Sequence, residues 1–134
     1  INMPKEVFKH THRKCKKNSP IGLLATEGTL NTGIYNKFFD KKYNLIFPNF
    51  NLQKNSVNKA IKLVKMGKVK LANKAIQSAI SYLIKKKCKK IILGCTELPI
   101  AIFAFKSFKN IKSSKTFLDP NLILAQSAMD KHKK

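Results

Sequence analysis

Residues 71–99 constrain the fold most. Leu71, Ala75, Ile76, Ala79, Ile80, Leu83 and Ile84 recur three and four residues apart, the spacing of one helix face. The stripe stops in Lys85-Lys86-Lys87, where cations suit the negative end of a helix. Soon after, Ile91-Ile92-Leu93 is apolar at every position. A strand with one wet face would alternate; an unbroken run belongs in a parallel sheet covered on both sides. Gly94-Cys95-Thr96-Glu97-Leu98-Pro99 follows. Thr96 is a suitable helix cap and Pro99 suits a first turn. A helix–strand–helix run of this kind places a sheet between two helical layers.

The rest of the chain extends the pattern. Residues 21–25 form a short apolar run after Pro20, and Thr26-Glu27-Gly28-Thr29 reads as a tight loop. Leu30, Ile34, Phe38 and Phe39 then predict one helix up to Asp40. Residues 43–47 predict a second strand, closed by Pro48. Val57, Ala60, Ile61 and Val64 mark a helix ending near Gly67. Residues 116–118 predict a last strand, and Asp119-Pro120 starts a helix to about Met129. The order β-α-β-α-α-β-α-β-α predicts an α/β fold, a parallel sheet with helices on both faces. Ligands of such sheets bind outside the carboxyl ends of the strands. The turn at 26–29 and the segment from Cys95 to Glu97 both fall there. Residues 1–19, with Pro4 and three basic clusters, read as an irregular head; residues 20–134 read as the folded lobe.

The 134 residues suit one domain, and 43% hydrophobic content supplies a core. No apolar stretch reaches the 18 residues of a membrane helix. The polar, basic start has no signal-peptide core. The net charge of +22 suits an anionic polymer. Its makeup points elsewhere: 27 lysines stand against one arginine, Arg13, scattered along the chain without interleaved aromatics. Phosphate and base recognition favours arginine forks. With 12 Asn and 14 Ile, the lysines fit an AT-rich coding bias. The expectation is a solvated surface and no nucleic-acid partner. His10 and His12 read as surface residues.

Cys15, Cys88 and Cys95 are odd in number and form no zinc-ligand spacing. A reducing cytoplasm is the natural compartment. Cys88 reads as core and Cys15 has no evident role. Cys95, where a strand hands over to a helix, reads either as core or as a proton-transfer group. A helix dipole at that place would favour its thiolate.

Four segments in register carry a resemblance: the hexapeptide at Cys95; Leu23-Leu24-Ala25-Thr26-Glu27-Gly28-Thr29-Leu30 with Gly33 and Tyr35; Val64-Lys65-Met66-Gly67; and Phe117-Leu118-Asp119-Pro120 with Ile123, Leu124 and Ala125. Together they resemble the C-terminal lobe of the cofactor-independent aspartate/glutamate racemases. Glu97 and the Leu-Pro-Ile ending favour the aspartate branch. The resemblance implies one lobe of a two-lobed fold, with neither pyridoxal phosphate nor metal. It implies an amino-acid substrate whose α-proton moves between two cysteines on opposite faces. Cys95 would be one of them. Lys65 would bind a substrate carboxylate, and Thr26, Gly28, Thr29 and Thr96 would offer hydroxyl or backbone donors. Glu97 would orient groups near Cys95. Each has a plainer reading: solvated lysine, turn residue, or a charge suited to a helix start.

The family's other cysteine lies in a Cys-Asn-Thr-like segment of the first lobe, and neither Cys15 nor Cys88 stands in one. The chain is therefore expected to be a truncated or split copy, or a fragment, incomplete by itself. It would be completed by a first-lobe partner or form a homodimer. The final helix would leave Leu122, Ala125 and Met129 partly exposed, with weak stability or self-association. Relatives acting on hydantoins or arylmalonates share the resemblance. A non-catalytic basic binding protein built from a racemase lobe is the alternative of another class.

Overall fold

The computed structural model describes residues 2–104 and 116–132. The elements are α1 (Met3–His12), β1 (Pro20–Leu24), α2 (Glu27–Thr32), α3 (Asn36–Phe39), β2 (Asn44–Ile46) and α4 (Phe50–Leu52). A π-helical turn (Gln53–Asn58) leads to α5 (Lys59–Lys65), α6 (Val69–Lys85) and β3 (Lys90–Leu93). Then come α7 (Glu97–Phe103), β4 (Phe117–Leu118) and a final helix, α8 (Pro120–His132). Residues 105–115 and 133–134 of the expected lobe lie outside the described residues.

The four strands form one parallel sheet in the order β2-β1-β3-β4. Central β1 pairs with β3 from Ile21 opposite Lys90 to Leu24 opposite Leu93. Side chains alternate across a strand, so each strand feeds two cores. Ile21, Leu23, Ile92 and Leu118 pack with Val7, Tyr35, Phe39 and Ile123, the layer of α1, α3 and α8. Leu24, Ile91, Leu93 and Phe117 pack with Val57, Ile61, Ile76, Ile80, Leu83 and Leu98, the layer from the π turn to α7. The α/β sandwich expected from the apolar runs is present.

The long helix α6 buries Ala72, Ile76, Ala79, Ile80 and Leu83, one face at helical spacing. It approaches the sheet closely at Gly22, where a Cβ would lie 2.9 Å from Leu83 Cδ1. Two buried polar side chains link its neighbours. Asn73 donates to the carbonyl of Ala101 in α7 at 2.8 Å. Ser56 of the π turn donates to Ala75 O and accepts from Ala79 N.

Two expectations change. The head is not irregular throughout: α1 is capped by Asn2, whose side chain accepts from Lys5 N at 3.1 Å. Val7 is fully buried, and Phe8 meets Phe39 edge-on. Glu6 joins α1 to α8, accepting from Ser127 Oγ at 3.0 Å and pairing with Lys131 at 3.9 Å. The helix expected up to Asp40 is two helices. Gly33 takes the left-handed conformation at φ 65°, its N–H reaching Leu30 O at 3.2 Å, and ends α2. Asp119 does cap α8, its Oδ1 accepting from Asn121 N at 2.9 Å. None of the described helices is long and apolar enough to cross a membrane.

Candidate functional site

The carboxyl ends of β1 and β3 lie side by side. Gly94 N–H donates to Leu24 O at 2.7 Å, carrying the pairing one residue past the strand. A Cβ at Gly94 would meet Ala25 Cβ at 3.1 Å and the Leu24 carbonyl at 3.2 Å. The glycine therefore lets the chain turn tightly against β1 and hold Cys95 at the strand end.

Cys95 is half-buried. Its thiol donates to Glu97 Oε2 at 2.9 Å, and Thr96 Oγ1 donates to the same oxygen at 2.9 Å. The other carboxylate oxygen of Glu97 lies 3.7 Å from Lys65 Nζ. Burial, first, and the Glu97 carboxylate, second, push the Cys95 thiol up to about 11. The bond from Cys95 holds the Glu97 carboxyl below its usual range, with help from Thr96 and Lys65. The thiol is thus the protonated partner. The expected thiolate-favouring dipole is outweighed, because a seven-residue helix is set against burial and an adjacent anion. The cap expected of Thr96 is not made: its side chain caps nothing in α7, and with the residue in αR its hydroxyl donates to Glu97 instead.

On the β1 side, Thr26 caps α2. Its Oγ1 accepts from Thr29 N at 3.2 Å and donates to Thr29 Oγ1 at 3.0 Å. Thr26 and Lys65 line one open depression of about 310 Å³ with Asn58, Ile61 and Lys62. Thr26 and Lys65 thus share one depression, and contacts run on from Lys65 through Glu97 to Cys95. Gly28 lies at the exposed edge; a Cβ there would meet only Thr26 Oγ1, at 3.9 Å.

Three polar residues beside this set were not singled out by their sequence: Gln53, Asn58 and Glu27. Gln53 is buried, and its Nε2 donates to Ala25 O at 2.8 Å and to Asn58 Oδ1 at 2.9 Å. Asn58 Nδ2 donates to Glu27 Oε1 at 2.9 Å. Gln53 Oε1 is buried with no hydrogen-bond partner among the described residues.

The other cysteines are elsewhere. Cys88 is 4% exposed in the α6-side core, and burial pushes its thiol up to about 11. Cys15 packs on the opposite layer. Its carbonyl accepts from Tyr43 OH at 3.3 Å, and its thiol feels Lys90, so it lies at the amino ends of β2 and β3. Cys95 lies at the other end of the sheet. Among the described residues no three His, Cys, Asp or Glu gather as a candidate metal site.

The sequence profile of the Asp/Glu/Hydantoin racemases matches residues 1–128. The chain belongs to this family. The α1 head falls within the matched residues. An aspartate racemase from Picrophilus torridus is 26% identical with a TM-score of 0.70; the alignment covers 90% of this chain and 47% of that one. A candidate Asp/Glu racemase from Yersinia pestis shares the fold at a TM-score of 0.79 and 20% identity, over 98% of this chain and 55% of the other. An aspartate racemase homologue from Pyrococcus horikoshii OT3 does so at 0.78 and 18%, over 100% and 56%. This racemase-family chain spans about half the length of the structures it matches.

Proposed function

We propose that this chain forms one lobe of an amino-acid racemase acting on aspartate or glutamate, with Cys95 as one of its two proton-transfer groups. The single observation that carries the reading is the Cys95 thiol held by Glu97 at the carboxyl end of the sheet, with Lys65 on the same carboxylate. An α-proton is weakly acidic, so inversion needs a base on one face and an acid on the other. A thiol kept protonated well above neutrality serves as the acid. It delivers its proton to the α-carbon as a base on the opposite face takes the original one, and Cys95 is left as thiolate. The opposite group comes from outside these 134 residues, from a first lobe or a partner chain. Lys65 supplies charge for a substrate carboxylate and offsets the developing negative charge. Thr26, Thr29 and Thr96 supply further donors. The reaction as proposed uses neither pyridoxal phosphate nor metal. Three free thiols suit the cytoplasm as its compartment.

The test is α-proton exchange. Both enantiomers of aspartate and of glutamate are incubated with the chain in D2O and followed by NMR, beside a Cys95→Ser variant, because the thiolate form of Cys95 takes the α-proton of the hand that presents it to this face. Exchange that falls at least ~100-fold in the variant supports Cys95 as the proton-transfer group. Exchange that survives the substitution, or none in the wild type, removes the reading for this chain.

A further inference from the structure

We infer that Gln53 and Asn58 form a clamp that grips both neighbours of Thr26 and so positions the turn at 26–29 for its ligand. That Thr26 meets a ligand rests on the function proposed above; the clamp itself does not.

The π turn makes the clamp. Residues five apart on an α-helix point about 140° away from each other. The wider π turn brings i and i+5 onto one side. Gln53 and Asn58 are five apart and hydrogen-bonded at 2.9 Å. From that pair one arm reaches back to Ala25 O and the other forward to Glu27 Oε1. Thr26 stands between those two residues, and its hydroxyl in turn holds Thr29 N–H.

The Gln53 amide shows that this arrangement is directional. Both of its N–H groups are spent on acceptors, and turning the amide over would set its oxygen against two oxygens. Its Oε1 stays buried without a protein partner among the described residues. A buried orphan of this kind calls for an explanation, and the clamp supplies one: both donors are needed on one side. The π turn is anchored from behind by Ser56 on α6, so the clamp is fixed to the core rather than to the loop it holds.

The readout is amide hydrogen exchange at Thr29, whose N–H depends on where Thr26 sits. Asn58→Ala, a change at the rim, removes both bonds of Asn58, speeds Thr29 exchange about 5-fold, the worth of one modest hydrogen bond at that amide, and leaves the α6 amides unchanged. Asn58→Asp does the same by facing one carboxylate with another. Adding Glu27→Gln to Asn58→Asp restores wild-type exchange, because the new amide donates to the carboxylate at position 58. With aspartate in D2O, Asn58→Ala raises KM severalfold and leaves kcat within about twofold of wild type. Unchanged Thr29 exchange in Asn58→Ala overturns the clamp, and so does a double variant that fails to recover. An unchanged KM overturns its role toward ligand. A wild type without α-proton exchange fails the racemase reading alone, since the amide readout still decides the clamp.

Discussion

The Cys95 thiol and the Glu97 carboxylate share one proton across 2.9 Å, with the thiol as donor. Glu97→Gln removes the anion that helps to hold this proton. The thiol then titrates lower than about 11, yet above its ordinary value of 9.0, since burial is the larger cause and remains. The pH dependence of Cys95 alkylation by iodoacetamide measures it. A midpoint unmoved by the substitution would show that Glu97 does not govern this thiol.

Alkaline pH is expected to destabilise the fold through Cys88. Its thiol is raised from 9.0 to about 11 by burial. Below pH 9 both folded and unfolded chains keep the proton, and stability is unaffected. Between about 9 and 11 the unfolded chain releases it first, so stability falls as pH rises. The melting temperature should drop by roughly 10 °C over this window. Cys88→Ala melts lower at neutral pH but has a flatter alkaline limb. Parallel limbs in the two proteins would refute the assignment.

Two glycines of the site should respond oppositely to alanine. Gly94→Ala drives a methyl into Ala25 Cβ and a backbone carbonyl, which cannot swing aside. We expect a cost of about 1–3 kcal/mol and a displaced Cys95. Gly28 lies in α2 with open space around it. Gly28→Ala should stabilise by about 0.5–1 kcal/mol. Urea denaturation of both variants decides, and equal effects would count against the steric account.

Self-association should increase with salt. On α8, Leu122 and Met129 are 69% and 54% exposed. A net charge of +22 keeps such faces apart at low ionic strength. Screening at 0.5 M salt, where the Debye length falls to about 4 Å, should raise the mass seen by light scattering. Leu122→Lys should suppress the rise; an equal rise in the variant would place the contact elsewhere.

What the sequence conveys depends on whether a position is apolar. The strands at 21–25 and 91–93 and the stripe of α6 were legible because their burial is written in hydrophobic residues. So was Cys95, through its place between an apolar run and a helix start. Helix α1 was not, because Glu6 and Thr11 share its buried face with Val7, and the apolar period is too thin to show. The break at Gly33 was hidden by apolar residues that keep helical spacing across it. Gln53 and Asn58 carry no apolar signal that would mark them as buried partners. Only a π turn makes neighbours of residues five apart, and no periodicity of side chains announces one. The proton held by Cys95 was missed because it depends on burial and on how the carboxylate two residues on folds back.

Cys88 and Cys95 flank β3, whose four residues advance about 10 Å, and Cys15 lies at the Cys88 end. A disulfide needs Cα atoms within about 7 Å. Oxidation therefore offers Cys95 no partner among the chain's own thiols. Any cystine formed at Cys95 must draw its second sulfur from outside these 134 residues, which makes this sulfur the place to capture covalently whatever docks against the open end of the sheet.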